Sequence, residues 1–281
     1  LNLFLEVLGR RRDGYHEIAT LMVAVDWCDT LELVERASGP WRLRCEPAGS
    51  APEGEANLVW QAARRLAEQT GQGERGLEVR LVKRIPAQAG LGGGSSDAAA
   101  MLLGLSQLWK VALTNEDTVA MGAAVGSDVP FFARGTAAWC TGRGEQVEPE
   151  TMGRPLDFVL VCPAVGLSTA QVYGALQVPS VPRTGDAARV ALRQGDVQTL
   201  AQQLFNRLQE PALRLEPHLA RLHQRLARIA PFGAWLTGSG SALFALCRSR
   251  SEAVQVAGAF RQQRSPDEPS SRVLVVRSLA P

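Results

Sequence analysis

Residues 84–100 read Arg-Ile-Pro-Ala-Gln-Ala-Gly-Leu-Gly-Gly-Gly-Ser-Ser-Asp-Ala-Ala-Ala, a glycine-rich turn running into a helix. The strand-like run 77–83 comes just before it, and this order predicts a phosphate cradle. Gly90, Gly92, Gly93 and Gly94 lack a Cβ, so the backbone can approach an anion in dihedrals that other residues avoid. The helix that follows presents unpaired N–H groups near Ser95, Ser96 and Asp97 along the positive end of its dipole. The loop is neither of the familiar nucleotide loops. No Lys-Ser/Thr pair follows the last glycine, and the third glycine of the dinucleotide fingerprint is missing. The alternative is a glycine loop that binds nothing.

Three other segments carry side chains suited to chemistry. Residues 8–17 (Leu-Gly-Arg-Arg-Arg-Asp-Gly-Tyr-His-Glu) form a polar turn between two strands, which can equally be a solvated hairpin turning at Asp13-Gly14. In residues 126–132 (Gly-Ser-Asp-Val-Pro-Phe-Phe), Asp128 follows a helix end and precedes a rigid proline; on its own it could be a helix cap. Residues 237–244 (Thr-Gly-Ser-Gly-Ser-Ala-Leu-Phe) make a second glycine turn, open to a ligand or to tight packing. His16 is no zinc ligand by spacing, because the second histidine of a zinc helix is absent.

The elements that must position these groups follow from periodicity. Strands are expected at 1–8, 20–25, 30–35 and 41–46, with a helix over 57–69. Beyond the cradle, 98–109 reads as a buried helix, and Thr114 with Asp117 as the capping box of a helix ending near Val125. Strands at 136–140 and 157–162 flank a polar stretch, 142–154, where the domain boundary is placed. Helices are expected at 187–209, 213–229 and 252–263. The segment 234–247 reads as strand, glycine turn and strand, 265–271 as a polar connection, and 271–278 as a closing strand.

The 281 residues suit about two domains, and nearly half of them are hydrophobic. Thirty basic against 28 acidic residues leave a formal charge of +2, which offers no footprint for nucleic acid or membrane. Five scattered cysteines without Cys-x-x-Cys spacing read as reduced thiols. With no long apolar run and no secretory signal, the expectation is a soluble cytoplasmic enzyme, monomeric or weakly dimeric. Lys83 and Lys110 are the only lysines. The chain opens without Met on a strand, so a few residues are expected to precede Leu1.

Taken together, these segments resemble the GHMP kinase superfamily, and within it the family of 4-diphosphocytidyl-2-C-methyl-D-erythritol kinases. Pro86 and the run from Gly90 to Ser96 are similar to the superfamily's ATP loop, and 237–241 to its third motif. Asn2, the Arg10-Arg11 pair, Asp13 to Glu17 and Gly126 to Phe132 are what separates this family from homoserine, mevalonate and galactose kinases. The resemblance covers residues 1 to about 247. It implies an α+β, two-domain GHMP kinase fold: an N-terminal domain (1–150) like the second domain of ribosomal protein S5, and a ferredoxin-like C-terminal domain (151–281).

The activity implied is ATP-dependent phosphorylation of the 2-hydroxyl of a cytidine diphosphate-linked methylerythritol, with ATP and Mg²⁺ as cofactors. Phosphoryl transfer asks the protein mainly for positioning and charge stabilisation. The cradle (Pro86, Gly90, Leu91, Gly92, Gly93, Gly94, Ser95, Ser96) would hold the phosphates, with Ser95 or Ser96 reaching magnesium. Asn57 and Leu58 would line the adenine pocket, with Lys83 near the nucleotide or else a solvated charge at a strand end. Asp128 is the candidate catalytic carboxylate. Tyr15 and His16 would take the cytosine, Tyr173 its opposite face, and Asn2, Ser168, Thr169, Gly238, Ser239 and Gly240 the rest of the acceptor. Arg12 replaces a proline common in the family. The family also places a lysine just before the residue matching Leu1. A kinase for another small alcohol, or an inactive nucleotide sensor of the same fold, are the competing readings.

Overall fold

The computed structural model describes residues 1–73, 75–264 and 270–279. In chain order the first half builds β1 (Asn2–Arg10), β2 (His16–Val23), β3 (Thr30–Arg36), β4 (Arg42–Glu46), α1 (Leu58–Thr70), β5 (Gly76–Val82), α2 (Gly93–Leu108), α3 (Asn115–Val125), α4 (Val129–Arg134), β6 (Ala137–Gly142) and β7 (Gln146–Pro149). The second half builds β8 (Asp157–Pro163), α5 (Thr169–Gly174), α6 (Asp186–Gln194), α7 (Val197–Gln203), β9 (Phe205–Asn206), α8 (Gln209–Leu215), α9 (Pro217–Ile229), β10 (Trp235–Leu236), β11 (Leu243–Cys247), α10 (Arg250–Gln262) and β12 (Ser271–Arg277). The architecture is α+β.

Three sheets organise it, in the orders β7-β6-β2-β1-β9, β3-β5-β4 and β10-β11-β8-β12. β1 is buried from Asn2 to Val7, as a strand covered on both faces must be. Leu3, Phe4, Leu21 and Val23 pack with Phe158, Leu160, Phe244 and Leu192, so one core draws on both halves of the chain. A second core sets α1 and the apolar α2 against the three-stranded sheet through Leu66, Leu77, Leu81, Met101, Leu102 and Leu105. The first sheet is completed from the second half, because β9 pairs in parallel with β1 at Phe4 and Leu5.

Local chemistry explains where elements stop, and where the sequence reading needs correcting. Asn57 caps α1 by accepting from the Val59 amide, and Gly71 ends that helix at φ 68. The Thr114–Asp117 capping box forms as expected. The continuous helix expected at 187–209 is instead α6, α7 and β9. Gly195 closes α6 at φ 70, and Asp196 caps α7 by accepting from Gln198 and Thr199 amides. The helix expected at 213–229 is divided into α8 and α9 at Glu216-Pro217; Pro217 has no N–H to continue α8 and suits the first turn of α9. The polar stretch 142–154 holds a hairpin, β6 turning through Gly142 (φ 74) and Gly144 (φ 113) into β7. The short helices α4 and α5 were too brief for a period to show. Of the polar connection at 265–271, residues 265–269 lie outside the described residues.

A buried carboxylate ties β9 to β1. Glu6 is fully buried, and Arg207 holds it bidentately, Nε and Nη2 each donating at 2.7 Å, while the amides of Val7 (2.8 Å) and Arg183 (2.9 Å) donate as well. Burial alone would raise this carboxyl, yet the hydrogen bonds, Arg207's first, hold it below the usual glutamate value. A depressed folded-state pKa gives stability that is present above the ordinary glutamate range and lost as pH falls through the lowered value. Arg207→Met should therefore cost about 3 kcal/mol at neutral pH, because it strands a buried charge. Denaturant titrations across acid pH should show the variant losing less stability than the parent on acidification; parallel acid limbs would contradict the pairing.

Candidate active site

The cradle is a backbone construction fixed by its surroundings. Gly90 has φ 70, and a Cβ there would lie 2.3 Å from the Thr237 carbonyl oxygen and 2.9 Å from the Gly240 nitrogen. Gly92, at φ 65, is the N-cap of α2, where a Cβ would meet the Phe132 ring at 2.8 Å. Neither position admits a side chain. No side chain caps α2, so the first-turn amides of Gly93, Gly94 and Ser95 are available to an anion. The Ser96 amide returns to the Gly92 carbonyl at 2.8 Å, and its hydroxyl donates to the Gly93 carbonyl at 2.8 Å. Ser95 Oγ instead faces the segment before Asp128, 3.8 Å from where a Cβ on Gly126 would sit.

Lys83 is not a solvated strand end. Its side chain is 6% exposed and donates to Asp97 Oδ2 at 2.7 Å and to Asp29 Oδ2. Asp29 Oδ1 also accepts from the Ile85 amide at 2.9 Å and from the Arg84 amide. Burial pushes the Asp97 carboxyl up to about 6, with Lys83 opposing and the neighbouring Asp29 adding to the rise. The Cβ direction of Gly93 points at Ile85 Cγ2 (2.8 Å) and Lys83 Nζ (3.3 Å), not toward the open face of the helix start. Leu58 Cδ1 lies 3.4 Å from the Cβ position of Gly94. Asn57 is buried, and its side chain is spent on the α1 cap and on the Pro52 carbonyl (2.7 Å). Pro86 is exposed in the turn ahead of the glycines.

Beside the cradle opens a cavity of about 780 Å³. It gathers Asn2, Tyr15, His16, Gly90, Leu91, Gly92, Asp128, Thr169, Tyr173, Gly238, Ser239 and Gly240 from segments far apart in sequence. Asp128 occupies the N-cap position of α4, but its carboxylate caps nothing. It lies between Gly92 and Gly144, its oxygens 3.9 and 3.5 Å from the Cβ positions of those glycines. Burial raises its carboxyl above the usual aspartate value.

At the other end, Tyr15 is 54% exposed and the Arg143 guanidinium lies 4.8 Å over its ring. His16 stacks on Tyr173 with centroids 4.8 Å apart and planes 30° apart. Tyr15, His16 and Tyr173 thus line one side-chain cluster of the cavity. Burial first, then the charge of Arg10, lowers the His16 pKa, which favours a neutral ring with one donor and one acceptor. The glycine turn is braced from below: Thr237 Oγ1 accepts from the Asn2 amide and donates to Asn2 Oδ1 (both 3.1 Å), and Asn206 Nδ2 donates to the Leu236 and Gly238 carbonyls (both 2.8 Å). Thr169 and Ser239 hydroxyls bond at 2.9 Å, whereas Ser168 is exposed outside the cavity.

Asp29 and Arg143 belong to this region although the sequence reading gave them no role, and Asp97, Arg10 and Phe132 were named there only as parts of their segments. Asp97 was visible in principle, as a carboxylate one residue past Ser96 on a helix that follows a lysine-bearing strand. Among the described residues no group of three or more His, Cys, Asp or Glu could hold a metal ion. The oxygens present, Ser95 Oγ and the Asp128 carboxylate, are of the hard type that suits magnesium retaining most of its waters. Among the described residues no helix is long and apolar enough to cross a membrane.

Comparison with known proteins agrees with this geometry. The model of the GHMP kinases N terminal domain matches residues 57–136, and that of the GHMP kinases C terminal matches 188–265. The 4-diphosphocytidyl-2-C-methyl-D-erythritol kinase of Exiguobacterium sibiricum is 39% identical over 262 residues, 93% of this chain and 91% of the relative. That of Pelotomaculum thermopropionicum is 38% identical over 283 residues, covering 100% and 96%. A crystal structure of 4-(cytidine 5'-diphospho)-2C-methyl-D-erythritol kinase superposes with a TM-score of 0.80 at 33% identity, covering 100% of this chain and 97% of that one. The homoserine kinase of Cytophaga hutchinsonii shares the fold at a TM-score of 0.72 and 19% identity, covering 94% and 89%. The chain belongs to the GHMP kinases, with their two-domain α+β fold, and within them to the 4-diphosphocytidyl-2-C-methyl-D-erythritol kinase family.

Proposed function

We propose that this chain transfers the γ-phosphoryl group of ATP to the 2-hydroxyl of 4-diphosphocytidyl-2-C-methyl-D-erythritol, a step of non-mevalonate isoprenoid synthesis. The observation that carries the reading is one cavity lined both by an aromatic and histidine platform and by an uncapped carboxylate beside a glycine cradle. In this reading residues 1–150 supply the cradle and the acceptor hairpin, and 151–281 close the cavity with Thr169, Tyr173 and the turn at 238–240.

ATP would lie with its phosphates on the Gly93, Gly94 and Ser95 amides and its adenine toward Leu58. Asn57 acts by fixing the start of α1, and Lys83 by fixing the start of α2, neither touching the nucleotide with its own polar atoms. Magnesium would be held by Ser95 Oγ and waters and would supply charge neutralisation to the phosphates; the Ser96 hydroxyl is engaged with Gly93 and serves the loop. The cytosine would rest on Tyr15 with its edge to the neutral His16 ring. Asn2 and the turn at Gly238, Ser239 and Gly240 frame the acceptor's other end. Asp128 orients the acceptor hydroxyl and takes its proton as the phosphoryl group arrives.

Asp128→Asn should lower kcat by about 100-fold or more with KM within a few-fold, since the carboxylate acts chiefly in the transition state. A base must be deprotonated, and burial raises this one, so the parent's kcat should decline on acidification at a pH above the ordinary aspartate range. A steady-state pH profile reads both effects, and near-parental turnover by a folded Asp128→Asn would remove Asp128 from catalysis.

Gly94 offers a clean probe of the cradle, because a Cβ there meets only Leu58 at 3.4 Å, whereas one at Gly93 would wedge against Ile85. Gly94→Val should weaken ATP binding by about tenfold while the acceptor's KM holds. Unchanged ATP affinity by calorimetry would take the cradle out of the nucleotide site.

Tyr15→Ala should cost about 1–3 kcal/mol of acceptor recognition, and Tyr15→Phe little, because the ring face survives. Mevalonate and homoserine have no base to stack and should not be turned over. Efficient phosphorylation of either, with indifference to the cytidyl acceptor, would leave the fold standing and change the substrate.

A further inference from the structure

Two residues other than glycine hold a positive φ among the described residues, Lys110 (φ 56) and Gln88 (φ 55). Lys110 stands just past α2, where a left-handed residue is an ordinary way to end a helix. Gln88 ends no helix. It lies two residues ahead of Gly90, in the turn that enters the cradle, where a glycine would take the same backbone path without strain. A side chain kept at such a position beside a reaction site implies that the side chain has a task there.

The contacts of Gln88 indicate the task. Its backbone is anchored, because the next residue, Ala89, is buried and its carbonyl accepts from the Ala242 amide at 2.9 Å. Its side chain lines the cavity and reaches residues 164–168, the segment that follows β8 and leads into α5. There its Oε1 lies 3.2 Å, and its Cβ 3.9 Å, from the position that a Cβ would take on Gly166. Chain neighbours aside, no other residue comes within 4 Å of that position. The segment is itself held to the glycine turn: the Ser241 hydroxyl donates to the Val165 carbonyl, and Leu167 Cδ1 lies 3.2 Å from the Cβ position of Gly240. Two anchored segments, one from each half of the chain, thus approach each other beside the cradle, and Gln88 spans the gap. Its amide has no hydrogen-bond partner among the described residues, so what it contributes to the span is length. Because Gln88 is exposed and also lines the cavity, it stands between bulk water and the site.

We infer that Gln88 is a specificity-determining residue that walls the cavity beside the cradle and keeps water from replacing the alcohol as phosphoryl acceptor. The inference rests on the reaction proposed above and adds what makes that transfer selective. Water is a nucleophile of the same kind as the acceptor hydroxyl. Attacking the γ-phosphorus, it breaks the same bond to ADP and yields inorganic phosphate, its proton passing to Asp128 as the alcohol's would. Water is also far more abundant, so the choice between the two is made by access, which a closed wall controls.

The test compares ADP released with acceptor phosphorylated, using the full chain supplied with ATP, magnesium and 4-diphosphocytidyl-2-C-methyl-D-erythritol. In the parent the two amounts should agree. Gln88→Gly opens the wall, so the share of ATP lost to hydrolysis should rise about tenfold. Relief of the left-handed strain offsets glycine's greater freedom in the unfolded chain, and the variant should melt within a few degrees of the parent. Gln88→Met, alike in length and without the amide, should keep the parental ratio. Gly166→Ala presses a methyl on the Gln88 side chain and should raise the hydrolysed share about threefold, yet add nothing when residue 88 is glycine, because no other contact is there to disturb. A Gln88→Gly enzyme in which ADP and phosphorylated acceptor still agree would overturn the wall. Equal hydrolysis by Gln88→Met would make the amide a ligand of the phosphates and overturn it too, and additive effects of the two glycine-site changes would remove the contact on which it rests. A parent that phosphorylates no cytidyl acceptor would overturn the reaction itself, an outcome separable from an unchanged ratio in an active enzyme.

Discussion

The buried ammonium of Lys83, held between Asp29 and Asp97, is the constraint on which the site depends. Three ionised groups removed from water are costly, and the rise of Asp97 to about 6 shows part of that cost. The arrangement persists because it fixes what glycines cannot fix for themselves. Gly90 to Gly94 have no side chains to pack, so their path is set from outside. Asp29, just ahead of β3, receives the Ile85 amide, Lys83 follows β5, and Asp97 is the fifth residue of α2. One ion cluster therefore clamps the entry and exit of the phosphate loop. A lone carboxylate one turn into α2 would repel an anion at the helix start; the ammonium beside it cancels that repulsion.

The second constraint is steric, and it crosses the molecule. The missing Cβ of Gly90 is the space that the Thr237 carbonyl fills, and Thr237 in turn is bonded to Asn2. Donor loop, first strand and C-terminal glycine turn thus meet in one contact. Asn206, beside the Glu6–Arg207 pair, holds the Leu236 and Gly238 carbonyls, so the buried pair that attaches β9 also sets the height of the turn. At the other end of the same loop, Gly92 packs against the Phe132 ring, four residues past Asp128.

Much of this was legible in the sequence, and the boundary of legibility is physical. The cradle, the Thr114–Asp117 box and the strands of the first half announce themselves through local rules: backbone freedom, capping and alternation. Asp128, Tyr15 and His16 stood out as side chains in turns of unusual composition, and the resemblance to a family gave them roles. What escaped was set by partners distant in sequence. The reading of 187–209 as one helix failed because Gly195 and Asp196 make a stop and a start within two residues, and because a two-residue strand exists only where β1 receives it. The Asp29–Lys83–Asp97 cluster joins residues up to 68 apart in number, with no periodicity to reveal it.

In the proposed function, donor and acceptor sites are built on different principles, a difference compatible with one fold serving several kinases. The donor site is backbone: glycine conformations and helix amides, which depend on the fold and little on side-chain identity. A homoserine kinase with only 19% identity retains that fold at a TM-score of 0.72. The acceptor site is side chain. The β1–β2 hairpin supplies Tyr15 and His16, the β6–β7 turn supplies Arg143, and α5 supplies Thr169 and Tyr173. These are short connections whose residues can change without disturbing the cores beneath. Selection for a different alcohol can act on those loops alone, while the lysine-centred cluster and the Gly90 contact keep the phosphoryl donor in place.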